Sequence, residues 1–414
     1  HKEHPQILAA AKPILVATPA TLAAITDPVP LADVVIIDAA AHIQSIELLS
    51  IISRAKQVVV IAHRETVTSD GLKRLIALLP SVKIANRPVR RAPKLNAFLE
   101  SEGYGSVPFD VAREGAQGEV AYHFVADANG VPVITSGLVE SSQQEIDEVV
   151  RLIAKRAAGF TIVPASYMLT VVTLTDSFRV RLGAELKALA SKDKAMGSFL
   201  RHVRLIGIRE VAGAQATDVI LSLCYAKTAH GRLLQQFGAL EEPGGRGMLL
   251  DALALADRHV DIVSAFGSVD MDDERIHQPG AKLLKTLLTW AEQLGGEDIR
   301  PTESEYGRNV LLNDLADRIR NRGLNVAVNY GFNRGVTIPM VGLKDKPFAL
   351  AVLTDDANFM SIQSTRERHR MLSADLMTLG WSVASVWSVG AFVNPEKEVD
   401  HLVSQLADLY RGLE

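Results

Sequence analysis

Residues 31–41, LADVVIIDAAA, constrain the fold more than any other stretch of the chain. Four consecutive β-formers, Val34 to Ile37, run directly into Asp38 and three alanines. A run this short and this apolar predicts a strand buried on both faces of a parallel sheet. Asp38 then falls at the carboxyl tip of that strand, where open α/β sheets bind their ligands. The flanking pattern agrees. Residues 13–17 read as a short strand, 21–25 as a helix and 34–38 as the second strand. Residues 44–55 read as a helix with Ile43, Ile46, Leu49 and Ile52 at near-helical spacing, the face expected to be apolar, and 57–62 (QVVVIA) as a third buried strand. Three such strands with crossover helices predict a parallel sheet covered on both faces.

The 414 residues suffice for two or three domains, and 48% hydrophobic residues with 5% aromatic suit an ordinary α/β protein. A net charge of −4 gives no global basic field, so nucleic-acid binding would need local clusters. Cys224 is the single cysteine, which excludes an intrachain disulfide framework and any multi-cysteine metal site, and a cytoplasmic setting is expected. No apolar run approaches the roughly 20 residues of a membrane span, so no membrane partner is expected. The chain starts at His1 rather than Met, from which a fragment of a longer protein is expected.

Further along, a basic cluster, Arg87-Pro88-Val89-Arg90-Arg91, opens a helix, and residues 101–140 are loop-rich. A helix is predicted over 143–157 and strands over 167–174, 203–208, 218–223 and 261–265. Gly244-Gly245-Arg246-Gly247 reads either as a phosphate-hugging loop or as a flexible turn. After a helix over 280–294 and an acidic linker, the order becomes helix (310–321), strands (324–328, 336–341, 348–354), helix (365–378), strand (382–388) and a closing helix (396–410). The scattered histidines show no HExxH spacing, and no serine sits in a GxSxG elbow.

The succession ATPATL, VVIID and KQVVVIA resembles motifs Ic, II and III of superfamily 1 helicases of the nonsense-mediated-decay-factor type; a generic flavodoxin-like sheet is the alternative for this segment alone. The resemblance continues through Arg91 at the start of a second RecA-like domain and through residues 210–220, similar to motif V with Gln215 in the place of Glu. It ends at residues 248–264, similar to motif VI. It implies that Asp38, Gln215 and Arg258 are remnants of an ATP site. The Walker B Glu position is Ala39, the loop after the third strand is Ala62-His63-Arg64-Glu65, and the two motif VI arginines fall on Leu255 and Asp257. With no GxxxxGK loop to cradle phosphates, ATP is not expected as a cofactor, nor ATPase or helicase activity from this chain.

The last 110 residues resemble a very-short-patch-repair endonuclease-like domain of the PD-(D/E)xK nucleases. The carriers are Thr365-Arg366-Glu367-Arg368-His369-Arg370 and the run LGWSVASVWS at 379–388. Such a site gathers acidic groups around Mg²⁺ or Mn²⁺, which activates water. Here Pro339 follows Ile338 where the family has Asp, and Leu353 stands where it has Glu. What the resemblance leaves as a catalytic or metal set is Glu305, Asp355 and Asp356, beside a basic run of Arg366, Arg368, His369 and Arg370. Mg²⁺ or Mn²⁺ enters only if that eroded set still assembles.

The expected architecture is α/β: RecA-like parallel sheets followed by a restriction-endonuclease-like αβββαβ domain. Its expected segments are 1–83 (partial first RecA-like domain), 84–296 (second RecA-like domain) and 297–414 (nuclease-like domain). The expected function is that of a bacterial, catalytically degenerate helicase- and nuclease-like scaffold that binds nucleic acid or a DNA-repair partner, contacting DNA through Arg87, Arg90, Arg91, Arg366, Arg368, His369 and Arg370. Its other expected partner is an upstream segment of the same protein or a separate protein. The alternatives are an active Mg²⁺- or Mn²⁺-dependent DNA endonuclease of repair or phage defence, and a pure protein-interaction module.

Overall fold

In the computed structural model, the apolar run Val34 to Ile37 lies in β1 (Ala32–Ile37), paired in parallel with β2 (Ala55–Val60), Ile36 lying opposite Val59. The helix Ser45–Ile52 makes the crossover. The structure describes residues 11–411 except 12, 64–65, 83, 85–87, 106, 108, 127, 133–137, 141, 296–298, 304–308, 333–336 and 344–347.

Two expectations for this segment fail for one reason. Residues 13–17 form no strand; Ile14 and Val16 are 81% and 90% exposed. The sheet is therefore a two-stranded ribbon covered on one face only. Alternate side chains divide between the faces: Ile37, Val58 and Val60 pack with Leu48, Ile51 and Leu72, while Val34, Ile36 and Val59 are exposed. The crossover helix meets its expected inward face only in part. Its sequence, SIELLSII, is apolar nearly all round, so spacing alone does not choose a face; Ile43 and Ile52 pack against the ribbon's core, but Leu48 and Ile51 are the buried residues and Ile46 and Leu49 are exposed.

The chain packs as two compact units. The first comprises residues 1–83, 121–256 and 260–295, and the second 84–120, 257–259 and 296–414. These units do not coincide with the three segments read from the sequence. Residues 84–120 pack with the C-terminal unit, because Phe109, Val111 and Ala112 enter the core of its sheet.

Within the first unit, β3 (Val120–Phe124) is followed by a small hairpin of β4 (Val131–Pro132) and β5 (Val139–Glu140) and then by β6 (Leu169–Thr173), β7 (Val203–Gly207), β8 (Asp218–Ser222) and β9 (Val260–Ser264), and it edges a sheet ordered β3-β9-β8-β6-β7. The strands β6, β7, β8 and β9 are mutually parallel. Three of them, β6, β8 and β9, are buried along their whole length, as continuous apolar runs require. The ribbon docks on this sheet's loops through glycines. A Cβ on Gly213 would stand 2.5 Å from the Ala39 methyl, one on Gly244 2.2 Å from Thr68, and one on Gly247 2.9 Å from the Thr66 carbonyl. The glycine run at 244–247 thus serves close backbone packing at the start of the helix Gly245–Ala254.

In the second unit, β10 (Thr302–Glu303), β11 (Asn325–Gly331), β12 (Ile338–Leu343), β13 (Leu350–Leu353) and β14 (Ser382–Ser385) form one sheet in chain order, antiparallel except for the parallel pair β13–β14. Helices Val310–Asn321 and Pro395–Arg411 cover one face, with Leu312, Leu315, Ile319, Val399, Leu402 and Leu406 inward. Residues 109–112 and the helix Leu372–Thr378 cover the other. Trp381 fastens the two by donating its indole N–H to the Val111 carbonyl at 2.6 Å. Pro339 is tolerated within β12 because the ladder skips it. The register pairs Tyr330 with Ile338 and Val328 with Met340, and the intervening Asn329 is left-handed at φ 50°.

Candidate nucleic-acid interface

The carboxyl end of β13 runs into Thr354, Asp355 and Asp356, and each carboxylate is committed to a chain reversal. Asp355 accepts from the backbone N–H of Ser388 at 2.8 Å and from its hydroxyl at 2.6 Å, fixing the start of the helix Ser388–Val393. Partial desolvation works to raise the Asp355 pKa, but the Ser388 hydroxyl and N–H outweigh it and hold the group below its ordinary value. Asp356 caps the helix Ala357–Ser361, accepting from Phe359 N–H at 2.8 Å.

That capped helix carries Phe359, which is 6% exposed and meets two other rings edge-on, His369 at 5.2 Å and Trp387 at 5.4 Å between centroids. His369 and Trp387 lie 5.7 Å apart. The Arg368 guanidinium stands over the Phe359 ring at 5.7 Å, with Nη1 3.9 Å from the Met360 sulfur. His369 and Arg368 belong to a π-helical turn, Glu367–Met371, inserted in the helix that runs on through Thr378. Such turns are rare and recur at functional sites. Arg366 and Arg370 are exposed, and among the described residues neither they nor Arg368 form an ion pair. The acids close in sequence are Glu367 and Asp375, the latter raised above its ordinary value by burial and by Glu367.

The structure thus gathers Asp355, Asp356, Arg368 and His369 around Phe359 and Trp387. Glu305 and Arg87 lie outside the described residues. Arg90 is ion-paired with Asp257 at 2.7 Å. Arg91 is 6% exposed, bonded to Asn96 at 3.3 Å, with its pKa pushed down to about 10 by burial. Both are thereby engaged within the second unit. Asp38 is exposed at the tip of β1, accepting only a local bond from Ala39 N–H among the described residues. Gln215 is exposed in the loop before β8. The Arg258 backbone abuts Gly118, whose Cβ would fall 1.9 Å from the Arg258 carbonyl.

Neither implied group finds a full set of donors among the described residues. Among the described residues no three His, Cys, Asp or Glu side chains are placed to hold a metal ion, and Ser388 occupies both oxygens of Asp355. At Asp38, the neighbouring Ala39 is packed directly against Gly213, and no phosphate cradle is present among the described residues.

Sequence reasoning passed over Phe359, and named Trp387 and Ser388 only as part of a motif and, for Ser388, as a serine without a nucleophile elbow. It also passed over an outward apolar side on the helix Ser388–Val393. There Val389, Phe392 and Val393, at i, i+3 and i+4, are 72%, 82% and 76% exposed, with Ala391 buried behind them. The apolar spacing in SVGAFV was the available signal.

Fold and site together define an α/β protein of two compact units, one of which presents a basic and aromatic surface. No family model matches the chain, and no curated protein matches it. Among solved structures, the chain is similar to the C-terminal domain of a possible DNA helicase from Lactobacillus plantarum WCFS1, at 12% identity and a TM-score of 0.26, covering 44% of this chain and 88% of that one. Likeness at that level leaves the function to be argued from the chain's own residues. Among the described residues no helix is long and apolar enough to cross a membrane.

Proposed function

We propose that this chain is a non-hydrolysing scaffold of helicase-like and nuclease-like ancestry that binds nucleic acid through its C-terminal unit. The observation that carries the proposal is the basic turn itself. Arg366, Arg368 and Arg370 have no ion-pair partner among the described residues; Arg368 and Arg370 lie on, and Arg366 directly before, a π-helical turn braced by Phe359 and Trp387. Unneutralised arginines beside exposed aromatic surface match the phosphates and bases of a nucleic acid. Three phosphate contacts predict a slope of about −2 to −3 in log affinity against log salt. The test is fluorescence anisotropy with labelled DNA across a salt series, for the wild type and for Arg366→Glu with Arg370→Glu. Salt-dependent binding lost in the double variant is expected; binding without salt dependence, or none, overturns the proposal.

A second reading, a protein-interaction module, is favoured by the exposed face of the β1–β2 ribbon, where Val34, Ile36 and Val59 meet solvent. It predicts no salt-dependent DNA affinity, so the same titration separates the two.

A further inference from the structure

Resting on the nucleic-acid reading above, we infer that the ligand of the C-terminal surface is a single strand whose bases are unstacked from a duplex, with Trp387 and Phe392 as the apolar surface that receives them. Trp387 is 40% exposed, and the rest of its ring is fixed by Phe359 and His369, so its open surface is held in place before any ligand arrives. From it the chain enters directly the short helix whose outward side is Val389, Phe392 and Val393. Behind that side the helix is anchored, by buried Ala391 and by the grip of Asp355 on Ser388. Trp387 is the extended residue that precedes this helix, and Phe392 lies five residues further on.

The ligand class follows from charge and polarity together. Arginines on the π-helical turn, joined to Trp387 through His369, complement a phosphate backbone. Duplex DNA turns its phosphates and sugars outward and keeps its bases stacked inside, so it would lay charged backbone across Phe392 and leave that ring's apolar area uncompensated. An unstacked base has an apolar face of its own and covers the ring, as on other single-strand platforms.

The experiment titrates the full chain against a fluorescein-labelled single-stranded 20-mer and the blunt duplex of the same sequence at equal salt. The proteins are the wild type, Phe392→Ala, and the Arg366→Glu, Arg370→Glu double variant. Phe392 is exposed, so its truncation leaves the core intact, which circular dichroism verifies. The single strand should bind roughly ten-fold or more tighter than the duplex. Phe392→Ala should lose roughly five- to 150-fold for the single strand, the range of one base stack, and leave duplex affinity unchanged. Equal affinity for both probes, or an unchanged single-strand affinity in Phe392→Ala, overturns the inference while an arginine-dependent, salt-dependent affinity keeps the nucleic-acid reading. Absence of binding to both probes overturns both.

Discussion

Gly213 and Ala39 stand so close that a Cβ on the glycine would lie 2.5 Å from the alanine methyl, and both residues have left-handed backbone, φ 71° and 51°. Ala39 follows the aspartate at the tip of β1, and Gly213 lies in the loop leading to β8. The two places that resemble the Walker B and motif V positions of a helicase therefore meet in direct contact within one unit.

Any side chain at position 213 should force that contact apart. Gly213→Val adds both a steric clash and an unfavourable φ, together worth about 2–4 kcal/mol. Its thermal midpoint should fall by several degrees in scanning calorimetry. Ala39→Gly relieves strain at its own φ and should raise the midpoint slightly. Combined, the two should recover part of the Gly213→Val loss, since only the clash is shared. Strict additivity would show that the residues are not in contact.

The parallel sheet of the first unit carries a linked charge set at its β8 and β9 ends. Asp261 accepts from His123 at 2.8 Å and from Arg156 at 2.7 Å, and Tyr167 donates to Asp218 at 2.9 Å. Burial acts to raise the Asp261 pKa, but the bonds from His123 and Arg156 leave it below the ordinary 3.8. A carboxylate depressed in the folded state contributes its full stability above the unfolded value and loses it as pH falls through the folded value. The first unit should accordingly hold its stability down to about pH 4 and lose it steeply below. Asp261→Asn should cost about 1–3 kcal/mol at pH 7 by removing the nearer of two acidic partners of Arg156, Asp218 remaining at 3.8 Å. Urea midpoints measured from pH 3 to 7 check both points.

Asp110, in the second unit, titrates the other way. Burial is the main cause that pushes its pKa up to about 6, against a bond from Val89 N–H. The folded state then binds a proton more tightly than the unfolded chain between about pH 4 and 6, so stability falls as pH rises through that window. Asp110→Asn retains an acceptor for Val89 and removes the ionisation. It should stabilise the second unit by about 1–3 kcal/mol at pH 8 and by nothing measurable at pH 4. Hydrogen exchange of the C-terminal sheet amides at the two pH values distinguishes this from a change in the first unit.

The fold class was legible because it rests on local pattern. Strand runs such as β6 and β8 and the helix Val310–Asn321 announce themselves within a few residues. Residues 13–17 misled because an apolar run becomes a strand only if a neighbour pairs with it, and pairing is not local. The affiliation of residues 84–120 was hidden for the same reason: the bond from Trp381 to Val111 spans 270 residues. At the candidate site, Asp355 and the 366–370 run were visible as residue types. Their junction through Phe359, Trp387 and Ser388 was not, because a helix of six residues gives too short a period to separate from a strand end.

Asp355 distinguishes a scaffold from a nuclease. If it holds Ser388 and thereby Trp387, its loss acts on binding through position. Asp355→Ala should free the start of the helix Ser388–Val393 and weaken single-strand affinity several-fold, with an increase in solvent exposure of Trp387 seen in its fluorescence. Asp355→Asn keeps one acceptor for Ser388 and should lose much less, an ordering that metal ligation would not produce, since an amide is a poor ligand for Mg²⁺. With Mn²⁺ and either single-stranded or duplex DNA, the wild-type chain should leave the substrate intact over hours on a denaturing gel. Cleavage that disappears in both Asp355 variants would assign the carboxylate to hydrolysis and end the scaffold reading.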